Sequence, residues 1–499
     1  MPIQRVPPEI FFLDKSSDRS LQSQIRETVV SSILSHQAAP GASMPSSRNL
    51  ASHLGIARMT VTLAYQELVA QGYLEARQRS GYLVADIDAD QRMTAARSRP
   101  KASGSVDWNQ FLNSSLATRQ RVQKPIDWRR TPYPFLYGQM DSQLFNHAAW
   151  RDCARQAMGR RDFDDMAGDF AASDDPMLVN FIRSRILPRR GISANTDEIM
   201  VTVGAQNGLW LVTELLTRKP LNAVCENPGY PDTIQALRWC GAKVTTIDVD
   251  GDGLLPDRIP QDTRAVFVTP SHHAPTGATL PLDRRRELLA RAERDNFVIV
   301  EDDYEFEMSF LGAPSPSLKS LDEAGRVIYV GSFSKALFPG LRLGYLVGPP
   351  TLIAEARQLR SLILRHPPGH LQRTAAYFLA QGHYDILIRD MRREYAKRRE
   401  VMQKALASTS IEVAGAARFG GSCLWLKAPA GTDTVLLARQ LLEDEVLIEP
   451  GAPFFDGAQP PTEYFRLGYS SIPAERIEEG VRRIAARLAT GSAQAPEME

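Results

Sequence analysis

The stretch VGSFSKALFPGLRLGY, residues 330–345, places one lysine after an apolar, strand-like run and directly behind two serines. Ser332 and Ser334 precede Lys335, and Arg342 follows it in the same stretch. A lysine amine condenses with an aldehyde to form an imine, while two hydroxyls and a guanidinium can donate hydrogen bonds to a phosphate dianion. The stretch therefore predicts a site that holds an aldehyde carrying a phosphate group.

Pyridoxal 5′-phosphate (PLP) is the common cofactor of that kind, and other parts of the chain offer groups for its ring. The run FVIVEDDYEFE, residues 297–307, ends a buried strand in acids. A pyridine nitrogen needs a carboxylate to stay protonated, so Asp302 is its predicted partner, and Tyr304 is predicted to donate to the phenolic oxygen of the ring. In CENPGYPD, residues 225–232, Tyr230 is an aromatic residue suited to stack on the ring.

Two further motifs offer groups for anions. TVGAQNGL, residues 202–209, ends a strand and opens a helix, so the backbone amides of Gly204, Ala205 and Gln206 are predicted to point at the phosphate. In YFRLGYS, residues 464–470, Arg466 offers a forked guanidinium for the carboxylate of an amino-acid ligand. Each residue alone has a structural explanation, but together, at strand ends, they favour a ligand site.

The 499 residues suggest more than one domain, and the pattern of apolar and polar residues divides the chain into three parts. Residues 11–86 have regular apolar patterns separated by turn residues, which is typical of a compact domain. Residues 87–130 have few regularly spaced apolar residues, which predicts a flexible linker with a short helix around residues 108–116. In residues 131–490, apolar runs alternate with amphipathic stretches. This alternation predicts a mostly parallel sheet covered by helices.

The first part has the pattern of a winged helix-turn-helix. A helix over residues 21–35 is followed by a second that starts behind Pro45 and Ser46 and stops at Gly55, and a third runs from about Ala57 to Ala70. Residues 73–85 alternate around a basic turn, as a two-stranded wing does. The third helix would enter the major groove of DNA. The residues predicted to contact DNA are Arg48, Arg58, Thr60, Thr62, Arg77, Arg79 and Gly81.

On these motifs, residues 18–86 closely resemble the DNA-binding domain of GntR-type repressors, and residues 133–490 resemble fold-type I aminotransferases. The fusion resembles the MocR subfamily of GntR regulators. The resemblance implies an α/β protein in which an N-terminal winged helix-turn-helix precedes a PLP-binding, aminotransferase-like domain. It also implies a PLP imine at Lys335, Asp302 on the pyridine nitrogen, Tyr304 on the ring oxygen and Arg342 at the phosphate, in a homodimer with domains exchanged head to tail.

One motif departs from the aminotransferase pattern. TPSHHAPTG, residues 269–277, stands where those enzymes have Asn-Pro-Thr-Gly, and Ala274 replaces the asparagine that bonds the ring oxygen. The cofactor is therefore expected to lack one hydrogen bond, in a wider cavity. His272 or His273 is a candidate substitute, and a purely structural role for either histidine is an equal alternative.

Net charge, cysteine content and hydropathy limit the class of protein and the compartment that we expect. The net charge of +1 excludes a strongly basic protein but not a local basic face, and the four spaced cysteines (Cys153, Cys225, Cys240 and Cys423) indicate neither a metal site nor a disulfide framework. Without an apolar run of signal or membrane-spanning length, the cytoplasm is the expected compartment.

Three functions remain open: a PLP-dependent transcription regulator that senses an amine or amino acid, an active aminotransferase with a DNA-binding module, and a cofactor-binding scaffold without DNA specificity. The winged helix favours the regulator, because a metabolic transaminase gains nothing evident from it. Its mechanism would be displacement of Lys335 from the cofactor by the ligand amine. Residues 133–151 and 382–395 resemble members tied to the catabolism of taurine or ectoine derivatives.

Overall fold

A computed structural model of the chain describes residues 5–14, 19–35, 37–77, 81–85, 111–112, 124–169 and 171–492. The chain divides into two compact units, Met1–Ser114 and Ser115–Glu499. This division falls inside the segment predicted as a linker. The predicted helix around residues 108–116 lies outside the described residues, apart from residues 111 and 112.

The small unit consists of three helices and a hairpin. Its elements are α1 (Leu21–Leu34), α2 (Ser47–Leu54), α3 (Arg58–Ala70), β1 (Leu74–Arg77) and β2 (Gly81–Val84). Ser46 caps α2 by accepting a hydrogen bond from the Asn49 amide at 3.1 Å. Gly55 ends α2 in the left-handed conformation, with φ of 64°, which lets the chain turn into α3. The two strands pair antiparallel, with Leu74 opposite Val84 and Arg77 opposite Gly81.

One apolar face of each helix builds the core of the small unit. On α3, Val61, Ala64, Tyr65 and Leu68 are buried, which is the helical spacing predicted from the sequence. They pack with residues of α1 that include Ile25, and the Tyr65 hydroxyl donates to the Pro45 carbonyl at 3.1 Å. The opposite face of α3 stays exposed.

The large unit contains the remaining helices and strands. Its helices are α4 (His147–Ala157), α5 (Phe163–Ala167), α6 (Pro176–Phe181), α7 (Gly204–Leu216), α8 (Pro231–Trp239), α9 (Leu282–Arg294), α10 (Pro350–Leu364), α11 (Gly369–Ala380), α12 (His383–Leu406), α13 (Thr434–Glu443) and α14 (Ala474–Ser492). Its strands are β3 (Tyr133–Pro134), β4 (Ile199–Thr202), β5 (Asn222–Asn227), β6 (Lys243–Asp248), β7 (Ala265–Val268), β8 (Val298–Asp303), β9 (Val327–Ser332), β10 (Gly344–Val347), β11 (Glu412–Val413), β12 (Cys423–Lys427), β13 (Val446–Leu447), β14 (Glu449–Pro450) and β15 (Tyr464–Gly468).

The central sheet has seven strands in the order β4-β10-β9-β8-β7-β5-β6. The pairs within β9-β8-β7-β5-β6 are parallel, whereas β10 runs antiparallel to both of its neighbours, β9 and β4. Strands β4 to β9 are apolar runs of the sequence that alternate with amphipathic stretches, as predicted. The predicted mostly parallel α/β sheet is therefore confirmed. A second sheet, in the order β11-β12-β15-β14, is antiparallel.

Helices cover both faces of the central sheet. Alternate residues of β9 and β10 belong to two different apolar clusters, so that Tyr329 and Tyr345 lie in one and Val330 and Leu346 in the other. The first cluster includes residues of α11 and α12, and the second includes residues of α7, α8 and α10. Because both faces are buried, the strands are continuous apolar runs. Within the described ranges, no helix combines the length and the apolar character needed to cross a bilayer.

Residues 124–130, which the sequence analysis assigns to the linker, pack on the large unit. Trp128 is buried in a small cluster with Leu136 and Leu447. Lys124 makes an ion pair with Glu449. Residues 124–130 are therefore part of the large unit.

Candidate cofactor-binding site

A cavity of about 440 Å³ opens at the carboxyl ends of the sheet strands, a volume typical of ligand sites. Ligands of open α/β sheets bind at this edge. The predicted residues that line the cavity are Ala205, Gln206, Tyr230, Asp302, Tyr304, Ser332, Ser334, Lys335, Arg342 and Arg466. The structure thus brings these predicted residues together from strands that are far apart in the sequence, with Gly204 next to them at the start of α7.

Lys335 follows β9 and extends into the cavity. Its Nζ lies 4.3 Å from the centroid of the Tyr137 ring. Burial, with the nearby Lys124 as a further cause, lowers the pKa of Lys335 to about 8. A lower pKa raises the neutral fraction of the amine near pH 7, and the neutral amine is the nucleophile that condenses with aldehydes.

Asp302 lies near the end of β8 with an unsatisfied carboxylate oxygen. Its Oδ1 is buried and has no hydrogen-bond partner among the described residues. Burial and the neighbouring Asp303 raise the pKa of Asp302 to about 7. A buried carboxylate without a partner is unfavourable unless a cation or donor faces it. A protonated pyridine nitrogen supplies both, so Asp302 fits the predicted role.

The side chains predicted to bind the phosphate line the same cavity. Arg342 has a left-handed backbone with φ of 53°, and its side chain makes no hydrogen bond or ion pair within the described ranges. The Oγ of Ser334 is buried and also lacks a partner there. Gly204, with φ of 76°, begins α7, and a β-carbon on it would lie 3.2 Å from Cζ of Arg342. A helix N-terminus, a hydroxyl and a guanidinium thus converge as donors for an anion.

The two predicted ring-binding tyrosines both have protein partners. The Tyr230 hydroxyl donates to Asp232 Oδ2 at 3.0 Å, and its ring lines the cavity. The Tyr304 hydroxyl donates to the backbone carbonyl of His272 at 2.7 Å. A phenol has one proton to donate, so in this structure that proton is directed at the carbonyl and not into the cavity.

Arg466 lies on β15 and is almost fully buried. Its Nε donates to Glu449 Oε2 at 2.8 Å. Its Cζ lies 4.0 Å from the Tyr137 ring centroid and 4.6 Å from that of Phe454. Two aromatic rings and a carboxylate therefore fix the guanidinium in the cavity wall. A fixed guanidinium suits the recognition of an acidic ligand group.

Ala274 lines the cavity at the position where the aminotransferase motif has asparagine. Neither adjacent histidine replaces that side chain. His272 Nε2 pairs with Ser309 Oγ at 3.2 Å, and His273 Nδ1 pairs with Thr276 Oγ1 at 2.7 Å. Burial lowers the pKa of His272 to about 4 and that of His273 to about 3. Both are buried, neutral residues, which favours the structural interpretation.

In the small unit, the predicted DNA-contacting residues lie on the α2, α3 and wing surfaces. Arg48, Arg58, Arg77 and Gly81 are exposed, and Thr60 is half-buried. The Thr62 hydroxyl donates to the Arg58 carbonyl at 3.0 Å, so that hydroxyl is engaged within the helix. Arg79 lies outside the described residues.

Comparison with known proteins supports both halves of this description. The family model for bacterial regulatory proteins of the gntR family matches residues 21–84, and that for aminotransferase class I and II matches residues 152–484. The HTH-type transcriptional regulator TauR of Rhodobacter capsulatus is 51% identical over 483 residues, covering 97% of this chain and 99% of that protein. The probable rhizopine catabolism regulatory protein MocR of Rhizobium meliloti is 31% identical over 485 residues, covering 95% and 94%.

The chain belongs to the MocR subfamily of GntR-type regulators. It is a transcriptional regulator of the GntR/MocR type with a fold-type I aminotransferase-like domain, as predicted. The crystal structure of LysN, the alpha-aminoadipate aminotransferase of Thermus thermophilus, is similar to the large unit of this MocR-type chain. The TM-score is 0.69 at 28% identity, with 78% of this chain and 100% of that one covered. That structure is complexed with N-(5′-phosphopyridoxyl)-L-leucine.

Several residues of this MocR-type site were not predicted from the sequence. Tyr137 contacts both Lys335 and Arg466, and Phe454 holds the other side of the guanidinium. Lys124 lines the cavity although it stands in the predicted linker. On α3, the sequence analysis also overlooked Met59, whose side chain is 65% exposed at the predicted base-reading end. No motif marks any of these residues, because their roles depend on tertiary packing.

Proposed function

We propose that this regulator binds promoter DNA through residues 11–86 and senses an amine or amino acid in the cytoplasm through PLP held in residues 131–490. Residues from 87 on would connect the two parts as a linker. The observation that carries the proposal is the pair of unsatisfied buried atoms around Lys335, Asp302 Oδ1 and Ser334 Oγ. One lies where a pyridine nitrogen would need a carboxylate, and the other where a phosphate would need a donor.

When bound, PLP supplies an aldehyde carbon with which primary amines condense reversibly, so that a ligand amine competes with Lys335 for it. The chain itself supplies the conditions for that competition. Lys335, whose pKa is lowered to about 8, would supply a larger neutral fraction of amine near pH 7 than an exposed lysine does. Asp302 would bind the pyridine nitrogen and keep it protonated, and Arg342 with the amides of α7 would hold the phosphate.

Arg466 is proposed to bind the acidic group of the ligand. Its guanidinium is buried in the cavity wall, and burial strengthens a charge-assisted hydrogen bond. The ligand class that fits an amine site at Lys335 and an anion site at Arg466 is an amino acid or amino sulfonate. Taurine or an ectoine derivative is our specific proposal, and the 51% identity with TauR supports taurine.

The DNA-binding half of the proposal rests on the exposed cations at the start of α2 and α3. Arg48 and Arg58 are both exposed, and α3 begins at Arg58. A recognition helix reads bases with its N-terminal residues. We propose that Arg58 and Thr60 contact base edges, and that Arg48, Arg77 and Gly81 position the protein on the backbone, together with Arg79 and Thr62.

The test is reduction of the cofactor-loaded protein with borohydride, followed by mass spectrometry. We expect a visible absorption band that taurine shifts and a reduced pyridoxyl adduct on Lys335. An adduct on another lysine, or none, would contradict the proposed cofactor site. Footprinting on the protein's own promoter region, with and without taurine, then tests the regulatory half.

An active aminotransferase is the second candidate. The lowered pKa of Lys335 favours it, because proton transfer in catalysis requires an amine with a pKa near the working pH. Incubation with a ligand amine and a keto acid distinguishes the two functions: repeated turnover of the keto acid indicates an enzyme, whereas a spectral change without turnover indicates a sensor.

We also propose a homodimer with domains exchanged head to tail, as the family resemblance implies. A mixture of a Lys335→Ala variant and a variant altered in the DNA-binding residues tests the exchange. In an exchanged heterodimer, the intact DNA-binding unit of the Lys335→Ala chain would be paired with the intact sensing site of the other chain. Without exchange, that DNA-binding unit would be paired with the altered site of its own chain. Sedimentation of the wild-type protein as a monomer would contradict the proposal.

A further inference from the structure

A buried carboxylate joins two cations at the end of the cavity that is lined by Arg466. Glu449 Oε2 accepts a hydrogen bond from Arg466 Nε at 2.8 Å, and Glu449 Oε1 lies 3.4 Å from Lys124 Nζ. The Glu449 side chain is fully buried, and 27% of the Lys124 side chain is exposed. Lys124 and Arg466 both line the cavity, while Glu449 stands behind them. We call these three residues the anion seat.

The charges of the anion seat do not cancel. Within these three residues one carboxylate faces two cations, and the next carboxylate, Glu305, accepts a hydrogen bond from the Tyr137 hydroxyl at 3.5 Å and lies near Lys335. Burial lowers the pKa of Lys124, which indicates that its charge is incompletely compensated in this structure. A second negative group that enters the cavity would balance the two cations, and buried charges are stable when they are paired.

We infer that Lys124 binds the acidic group of the ligand together with Arg466, and that it sets a preference for three-oxygen anions, such as sulfonates, over carboxylates. This inference rests on the proposed sensing function and deepens it. Glu449 binds Arg466 at Nε and pairs with Lys124 at Nζ, and Lys124 Nζ also donates to the backbone carbonyl of Tyr137. The Nη donors of Arg466 and one proton of the Lys124 ammonium therefore remain for a ligand.

The preference follows from the geometry of the donors. A planar carboxylate has two oxygens, which one guanidinium can satisfy in a fork. An ammonium is a compact point charge outside that fork, so it adds most to an anion with a third oxygen. A sulfonate presents three oxygens in three directions and therefore uses both residues.

The test compares three amines of similar length on the cofactor-loaded, full-length protein by spectral titration. Taurine carries a sulfonate, β-alanine carries a carboxylate, and propylamine carries no acid. Loss of the Lys124 charge raises the pKa of Lys335, an effect that all three amines share. Relative to propylamine, we therefore expect the affinity of Lys124→Gln for taurine to fall by about 10- to 100-fold and that for β-alanine to fall less. Lys124→Arg should restore most of the taurine affinity.

Lys397→Gln is the matched control, because Lys397 also faces a carboxylate, Glu475, at 3.5 Å, but on the surface. We expect it to change no titration. Equal losses for all three amines in Lys124→Gln would show a structural role and overturn the inference, as would an unchanged taurine titration or a loss no larger for taurine than for β-alanine.

Two wild-type results separate this inference from the proposed function. A wild-type protein that responds to propylamine but to neither acid would overturn the anion seat and leave amine sensing intact. A wild-type protein that holds the cofactor yet responds to none of the three amines would contradict the sensing function itself.

Discussion

Gly138 leaves the space that the Lys335 amine occupies: a β-carbon on this glycine would lie 2.2 Å from Lys335 Nζ. Gly138 also has φ of 66°, a conformation that side chains disfavour. It directly follows Tyr137, and the Tyr137 ring contacts both the Lys335 amine and the Arg466 guanidinium. One short segment therefore positions both the amine and the guanidinium.

Replacing Gly138 with alanine should displace the tip of Lys335 and lower the fraction of protein that borohydride fixes to the cofactor. Gly431→Ala is the control, since Gly431 has φ of 81° and no heavy atom near its added β-carbon. Each variant should lose about 1 kcal/mol of unfolding free energy from backbone strain. Equal adduct formation in the two variants would contradict the close contact with Lys335.

The titration of Asp302 should make the cofactor-free protein less stable as the pH rises from about 4 to about 7. Its folded pKa of about 7 exceeds its ordinary value, so the folded state binds a proton that the unfolded state has lost. The unfolding free energy then falls with rising pH, by at most about 1.4 kcal/mol per pH unit.

Urea unfolding of the wild type and of Asp302→Asn at pH 5 and pH 8 measures this contribution. Glu226, Glu301 and Glu307 also have pKa values raised by burial to about 7, so only the difference between the two proteins isolates Asp302. Parallel pH profiles would mean that Asp302 does not titrate in this window. Asp302→Asn should also weaken cofactor binding.

Arg58→Ala should weaken binding to the specific operator by about 1–3 kcal/mol and relax base preference at one position. The side chain makes one hydrogen bond in the small unit, from Nε to Ser47 Oγ at 3.2 Å, so its removal should spare the fold. Arg19→Ala, at an exposed arginine that pairs with Glu27, is the control. Unchanged gel-shift affinity in Arg58→Ala would place the base-reading surface elsewhere.

Arg466→Ala should lower the affinity for acid-bearing amines by about 2–5 kcal/mol, because a buried ligand anion would lose its main partner. Cofactor loading should persist, since Arg466 is grouped with Tyr137 and Glu449 and not with the phosphate residues. Calorimetric titration with taurine and with propylamine measures the effect. Equal losses of affinity for both amines would mean that Arg466 maintains the structure of the cavity and does not bind the acidic group of the ligand.

Lys335→Ala should abolish the borohydride-stable adduct but retain some cofactor, because Ser334, Arg342 and the start of α7 remain. Promoter binding should persist, since the DNA-binding residues belong to a separate compact unit. The response of promoter output to the ligand should be lost. A reporter assay alongside gel shifts checks both; a normal ligand response in this variant would exclude amine exchange as the switch.

Local patterns predicted those parts of the molecule that depend on short stretches. The strands from β4 to β9, the cap at Ser46 and the turn at Gly55 follow from apolar runs and side chains that act on their own backbone. Lys335 and Asp302 could be predicted to line the cavity because Lys335 follows β9 and Asp302 lies near the end of β8, at the ligand edge of the sheet.

Tyr137 and Lys124 could not be predicted in this way. Their contacts with Lys335 and Glu449 join segments far apart in the chain, and no spacing within one segment encodes such contacts. Tyr304 shows a second limit: the sequence places it at the correct strand end, but the backbone carbonyl of His272 takes its hydroxyl proton. Hydrogen-bond competition of this kind appears only once the chain is folded.

The antiparallel direction of β10 determines where Arg342 lies relative to Lys335. Because β10 runs against β9, Arg342 at its start lies at the same edge as Lys335 beyond the end of β9. Only glycine fits at position 344 in this alignment, since a β-carbon there would lie 2.8 Å from Gly331 O on β9 and from Ala205 N at the start of α7. A slip of one residue would carry Arg342 about 3.3 Å along the strand and turn its side chain to the other face. The spacing between the Lys335 amine and Arg342, the predicted phosphate residue, thus depends on a glycine in the sheet that belongs to neither side chain.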